Sequence, residues 1–131
     1  MRSGNFGNSK QNKKVKLLVV DDHPLIRQSI SSLLDDYKSI SLVGEAENGL
    51  QAVKCSKSLK PDVILMDIEM PGIDGIEATK IIKLRQPEIK IIGFSNHTEL
   101  SVAQKMLEAG ADFFLTKSCS LDELIDKIKG E

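Results

Sequence analysis

Short apolar runs alternate with amphipathic stretches five times along this chain. Runs such as Val63-Ile64-Leu65-Met66 and Lys90-Ile91-Ile92-Gly93-Phe94 show little period-2 alternation, which reads as strands buried on both faces. The pattern predicts strands near 15–20, 41–46, 62–66, 89–94 and 112–116, and helices near 24–36, 49–59, 74–86, 98–109 and 121–129. The punctuation agrees. Pro24 fits a first helical position. Asn48 and Asp74 fit N-caps, and Ser120 with Glu123 forms a capping box ahead of Leu124, Ile125 and Ile128. Gly110 fits the C′ position after Met106 and Leu107, and Pro61 and Pro87 end helices just before the third and fourth strands. Strand–helix alternation of this kind implies a doubly wound α/β fold: a five-stranded parallel sheet with right-handed crossovers and helices on both faces. No repeat, low-complexity core segment or interdomain linker interrupts it.

Four of the apolar runs end on polar residues. Asp21 and Asp22 follow Val15–Val20, Asp67 follows Val63–Met66, Ser95 follows Ile89–Phe94, and Lys117 follows Ala111–Thr116. Open α/β sheets place their sites at the C-terminal ends of strands, so these residues would converge on one acidic pocket with a hydroxyl and an ammonium beside it. Each has a plainer reading alone: a helix N-terminal acid pair favoured by the dipole, the edge of a core, a cap, a solvated charge. Their common position tips the balance. Adjacent carboxylates in a shared cleft repel, and a hard divalent cation such as magnesium, which prefers oxygen ligands, relieves that cost. Asp67 precedes a loop, Ile68 to Gly75, constrained by Pro71, Gly72 and Gly75. A carboxylate so held can attack phosphorus and form an aspartyl phosphate. Metal and lysine would neutralise the transferring phosphoryl oxygens, with Ser95 donating to one of them.

The 131 residues suit one domain, expected over 14–131, after a leader or expression remnant at 1–13 rich in Gly, Asn, Ser and Lys and expected to be disordered. The net charge of −1 hides an asymmetry: residues 1–16 hold five bases and no acid, which leaves 13 bases against 19 acids, or −6, in the rest. An acidic body argues against direct nucleic-acid binding. No apolar run approaches the roughly 20 residues that span a bilayer, and the start MRSGNFGNSK has no secretory apolar core, so a cytoplasmic protein without membrane association is expected. Cys55 and Cys119 lack metal-ligand spacing and read as reduced thiols; two distant histidines make no zinc site.

Together VVDDHP, VILMDIEMPGIDGIEA, IIGFSN and AGADFFLTKS resemble the receiver domain of bacterial two-component response regulators, over roughly residues 14–129. DDHPLIRQSI and AGADFFLTKS look most like the subfamily that carries a LuxR-type helix-turn-helix output domain. The resemblance implies the CheY-like, flavodoxin-like receiver fold with strand order 2-1-3-4-5 and five flanking helices, an order for which receivers serve as a standard example. It implies Asp67 as phosphoacceptor for a sensor histidine kinase, with Mg2+ or Mn2+ as cofactor. Asp22 would be the direct metal ligand, Asp21 would act largely through water, and Asp67 and the Glu69 backbone carbonyl would complete the protein ligands. Lys117 would bind the phosphate. Ser95 would move toward it, and Phe114 would turn inward to fill the vacated space. The face of the fourth helix, fifth strand and fifth helix would then bind a partner or a second copy. The domain would undergo its own phosphorylation and dephosphorylation without being a turnover enzyme. DNA would be reached only through an output domain, since the chain, which stops at Glu131 in or just past its last helix, is expected to contain none.

The departures from the family pattern carry expectations too. Ser118 stands where most receivers place a proline after a cis bond, and a cis non-proline bond costs about 2.5–4 kcal/mol, so the isomer is left open. Phe114 replaces the common tyrosine, keeping the rotamer choice without the hydroxyl. Asn96 stands where a small residue is usual and would crowd the pocket. Glu69 and His97 occupy the two variable positions beside it and are expected to tune phosphoryl lifetime by positioning or blocking water. Three competing readings are a haloacid-dehalogenase-like phosphatase, a flavodoxin-like cofactor binder and a receiver that works without phosphorylation. The first wants a D-x-D pattern, where this chain has Asp21-Asp22-His23. The second wants a Ser/Thr/Gly-rich phosphate loop, of which DDHP is the electrostatic opposite. The third would lack core residues that are all present here.

Overall fold

The computed structural model describes residues 14–96 and 99–130. The leader expected at 1–13 and the rate-tuning position His97 lie outside the described residues. Five strands and five helices alternate: β1 Val15–Val20, α1 Pro24–Leu34, β2 Ile40–Ala46, α2 Gly49–Leu59, β3 Val63–Asp67, α3 Gly75–Arg85, β4 Lys90–Ser95, α4 Leu100–Glu108, β5 Phe113–Thr116 and α5 Leu121–Lys129. The strands form one parallel sheet in the order β2-β1-β3-β4-β5.

Strand side chains point to alternate faces, so the sheet divides the core in two. Leu18, Val20, Ile64, Met66 and Ile91 pack on one face with Ala52 of α2, Ala78 and Ile82 of α3 and Met106 of α4. Leu17, Val19, Val63, Leu65, Ile92, Phe94 and Leu115 pack on the other with Ile30 and Leu34 of α1 and Leu124, Ile125 and Ile128 of α5. Every residue of β3 is buried, which explains its unbroken apolar run. Each fully buried aliphatic side chain contributes about 1.5–3 kcal/mol, and this central strand anchors the site at its end.

Most boundaries match the expected ones to within two residues, and two of the shifts matter. β3 includes Asp67 and β4 includes Ser95, so both are the last rungs of the ladder, paired with Phe94 and Thr116. Helix α1 stops at Leu34, short of the expected 36, because the carboxylates of Asp35 and Asp36 oppose the negative end of a helix. Asn48, Asp74 and Ser120 cap as expected, accepting from the N–H groups of Gln51, Glu77 and Glu123. Gly110, at φ +116°, closes a Schellman motif: its N–H donates to the Leu107 carbonyl and that of Ala111 to the Met106 carbonyl. No described helix is long and apolar enough to cross a membrane.

Candidate acidic phosphoacceptor site

The topology brings the ends of β1, β3, β4 and β5 to one edge of the sheet. Asp21 follows β1 and is buried; Asp67 ends β3 and is buried; Ser95 ends β4 and is buried. Lys117 follows β5, and its backbone N–H donates to the Ser95 carbonyl at 2.8 Å, tying the last two strand ends together. Its stem is covered, with 8% of the side chain exposed, and its ammonium donates to Asp21 Oδ2 at 2.8 Å and lies 3.4 Å from Asp67 Oδ1. All described peptide bonds are trans, that of Lys117–Ser118 included.

The carboxylates are not equivalent. Asp21 is fully engaged: its Oδ1 accepts from the His23 backbone N–H at 2.9 Å and lies 2.7 Å from His23 Nδ1, while its Oδ2 takes the lysine. Asp22 Oδ1 sits 3.2 Å from the same His23 nitrogen, but that N–H is directed at Asp21, and Asp22 Oδ1 makes no hydrogen bond. Asp67 Oδ2 is likewise buried without a partner. Buried carboxylate oxygens left unpaired are costly.

The titration behaviour follows. Burial, then the charge of Asp21, push the Asp67 carboxyl up to about 6 against the pull of Lys117. For Asp21 burial works in the same direction, but the hydrogen bonds from Lys117 and from the backbone and ring of His23 outweigh it and hold the carboxyl below its ordinary value. The hydrogen bond to Asp21 raises the His23 imidazole in turn. Asp21 and Lys117 form a settled pair, whereas Asp67 is a carboxylate whose charge is poorly compensated.

Ligand atoms of Asp21, Asp22, His23 and Asp67 lie within 4.8 Å of one another, close enough to hold one metal ion. The two unpaired oxygens single out Asp22 and Asp67 as the donors with capacity to spare, and hard oxygen donors fit a hard divalent cation. Glu69 is exposed and shares with Asp22, Asp74 and Pro71 an open cavity of about 430 Å³ beside them. Asn96, just past the end of β4, is exposed too. Phe114 is half-buried on the α4 side of the sheet.

Sequence reasoning missed three supporting residues, His23, Arg27 and Gly49, and saw in Gly75 only a constraint on the loop. The signal for His23 is the Asx turn that carries its N–H to the Asp21 side chain, a habit of Asp two residues before the donor. Arg27 donates to the Asp21 carbonyl at 2.5 Å and to Glu45 Oε1 at 3.2 Å. A cation near a helix N-terminus is disfavoured by the dipole, and that was the signal that it has an acidic or carbonyl partner. Gly49 and Gly75 let α2 and α3 approach the loop after β3: an added Cβ would lie 2.2 Å from the Ile73 carbonyl oxygen and 2.0 Å from that of Asp67.

Residues 17–129 match the response regulator receiver domain. The response regulator GacA of Pseudomonas aeruginosa is 40% identical over 115 residues, which cover 88% of this chain and 54% of that protein. UvrY of Escherichia coli K12, also a response regulator, is 42% identical over 115 residues, covering 88% and 53%. The chain thus spans about half the length of these relatives. Among solved structures, a two-component response regulator of the LuxR family from Aurantimonas superimposes with a TM-score of 0.85 at 32% identity, covering 90% of this chain and 84% of that one. With a sheet of receiver order, a buried acidic cluster at its carboxyl edge and a family match over nearly all of its described length, the chain belongs to the response regulator receiver domains.

Proposed function

We propose that Asp67 is the phosphoacceptor and that the donor is the phosphohistidine of a sensor kinase. The observation that carries this is the unpaired, buried Oδ2 of Asp67 beside Lys117. An Asp67 oxygen attacks phosphorus, the P–N bond breaks, and its electron pair returns to the imidazole of the donor. Asp22, Asp67 and the Glu69 backbone carbonyl would hold Mg2+ or Mn2+, which would neutralise the phosphoryl oxygens as charge builds on them. Lys117 serves the same end from the other side. It holds Asp21 in the resting state, and a phosphoryl oxygen competes for its free donors once the phosphate is in place. Asp21 keeps the lysine oriented and would reach the metal through water. Ser95 supplies the hydroxyl that follows the phosphate and Phe114 the ring that follows Ser95, while Glu69 and His97 tune how long the phosphate survives.

A donor must dock beside the strand ends to reach Asp67. An apolar cavity of about 280 Å³ between α1 and α5, lined by Ile26, Ile30, Phe94 and Leu121, shares Lys117 with the site and suits a side chain of such a donor. The domain works in the cytoplasm as a switch rather than a turnover enzyme. The acidic body leaves DNA contact to an output domain of the kind that fills the rest of a longer regulator.

Incubation with acetyl phosphate and magnesium, read by intact mass, should add one phosphoryl group, and Asp67→Asn should add none. Labelling of Asp67→Asn at the normal rate would overturn the assignment.

A further inference from the structure

Gly93 lies in the middle of β4, paired across the ladder with Phe114 of β5. Its backbone is ordinary strand, outside the left-handed region that requires glycine. A strand interior is weakened by glycine, so the reason for it is space. A methyl group there would lie 2.8 Å from Met106 Cγ, 3.0 Å from Phe114 Cδ1 and 3.4 Å from Met106 Cε. The Phe114 ring, reaching over from β5, and the Met106 thioether, reaching down from α4, therefore meet above a strand position that has no side chain. Met106 is completely buried, and the hydroxyl of Thr79 in α3 donates to its sulfur at 3.8 Å. Period-2 alternation puts Gly93 on the same face as Ser95, two residues on.

We infer that Gly93 is the seat of the Phe114 ring, and that the ring pressed there against Met106 links the phosphoryl site to α4. This rests on the reading of Ser95 and Phe114 as the responding pair. With any side chain at 93, the ring and Met106 cannot both keep their places. The thioether adapts where a branched side chain would not, so α4 can follow the ring without unfolding.

Two measurements on the intact chain test this. In the unmodified protein, NMR contacts between the Phe114 ring and the Met106 methyl should be present, and Gly93→Ala should abolish them. With magnesium and beryllofluoride as phosphoryl mimic, the Phe114 ring and α4 amide shifts should move in the wild type, and Gly93→Ala should cut that response by more than half while labelling by acetyl phosphate proceeds at close to the wild-type rate. Gly93→Ala with Met106→Ala, which restores the space but removes the link, should recover the Phe114 ring shift while the α4 amides stay still, and serves if the single variant does not fold. Retained ring–methyl contacts, an undiminished response, or a folded Gly93→Ala protein that no longer labels would each overturn the seat. Absence of labelling in the wild type would instead sink the phosphoacceptor reading, with the ring–methyl contacts still deciding the seat.

Discussion

Above about pH 6, Asp67 carries a charge that its burial and Asp21 oppose, and the fold bears the consequence. The sign is fixed by which state holds the proton more tightly. In the unfolded chain the carboxyl titrates near 3.8, and in the fold near 6, so stability falls as pH rises through that window and the penalty is complete above it. A displacement of that size is worth roughly 3 kcal/mol. Asp67→Asn keeps the shape and removes the charge. It should therefore stabilise the metal-free protein at pH 7.5, by less than that limit because the 3.4 Å ion pair with Lys117 goes too. Urea unfolding in EDTA should show the gain shrinking toward pH 4. A loss of stability at pH 7.5 would mean that Lys117 compensates Asp67 fully. Magnesium should stabilise the wild type, as any ligand selective for the folded state does, and stabilise Asp67→Asn much less. The positions of Asp21, Asp22, Asp67, Ser95 and Lys117 were legible because strand ends can be read from apolar runs. The unequal state of the carboxylates was not, because it depends on where the His23 ring and the Lys117 ammonium come to rest.

Helix α3 shows how an element can be legible at its ends and opaque along its length. Its buried positions are Gly75, Ala78, Thr79 and Ile82, of which only Ile82 is large and apolar, so the apolar stripe is weak and Asp74 before it and Pro87 after it located it. The close approach that Gly75 permits could not be read, because it involves the Asp67 carbonyl from a different element. Two effects oppose each other at this position. Alanine is the better helix former by about 1 kcal/mol, yet its Cβ would lie 2.0 Å from the Asp67 carbonyl oxygen and 2.9 Å from the carbonyl carbon. Those neighbours are backbone at the end of a fully buried strand and cannot swing aside, so the clash wins. Gly75→Ala should destabilise by about 1–3 kcal/mol and slow labelling of Asp67, because the displaced group is the acceptor's own main chain. A rise in thermal midpoint would show that propensity prevails and that α3 does not brace the acceptor.

At the scale of the molecule, the sheet has two covered faces, and four helices carry leucines outward: α3 has Leu84 alone, α2 has Leu50 and Leu59, and the most exposed pairs lie on α4 and α1. On α4, Leu100 is 77% exposed and Leu107, two turns on, 46%; on α1, Leu25 is 75% and Leu33 45% exposed. Solvent-exposed leucines repeated along one helix face invite an apolar partner, and either helix would serve a second copy by that criterion alone. The coupling argument separates them. Met106 of α4 touches the place where the Phe114 ring lies, whereas α1 packs on the opposite face of the sheet with Ile30 and Leu34. A change at Asp67 that travels through Phe114 therefore reaches Leu100 and Leu107 and leaves Leu25 and Leu33 where they were. A dimer through α4, β5 and α5 should form only with beryllofluoride and magnesium, detected as a change in sedimentation. Leu100→Lys with Leu107→Lys should prevent it without affecting labelling by acetyl phosphate, while Leu25→Lys should leave it intact. Dimerisation that needs no phosphoryl mimic, or that fails in Leu25→Lys and survives in the α4 variant, would move the responsive surface to α1 and break the link drawn through Gly93.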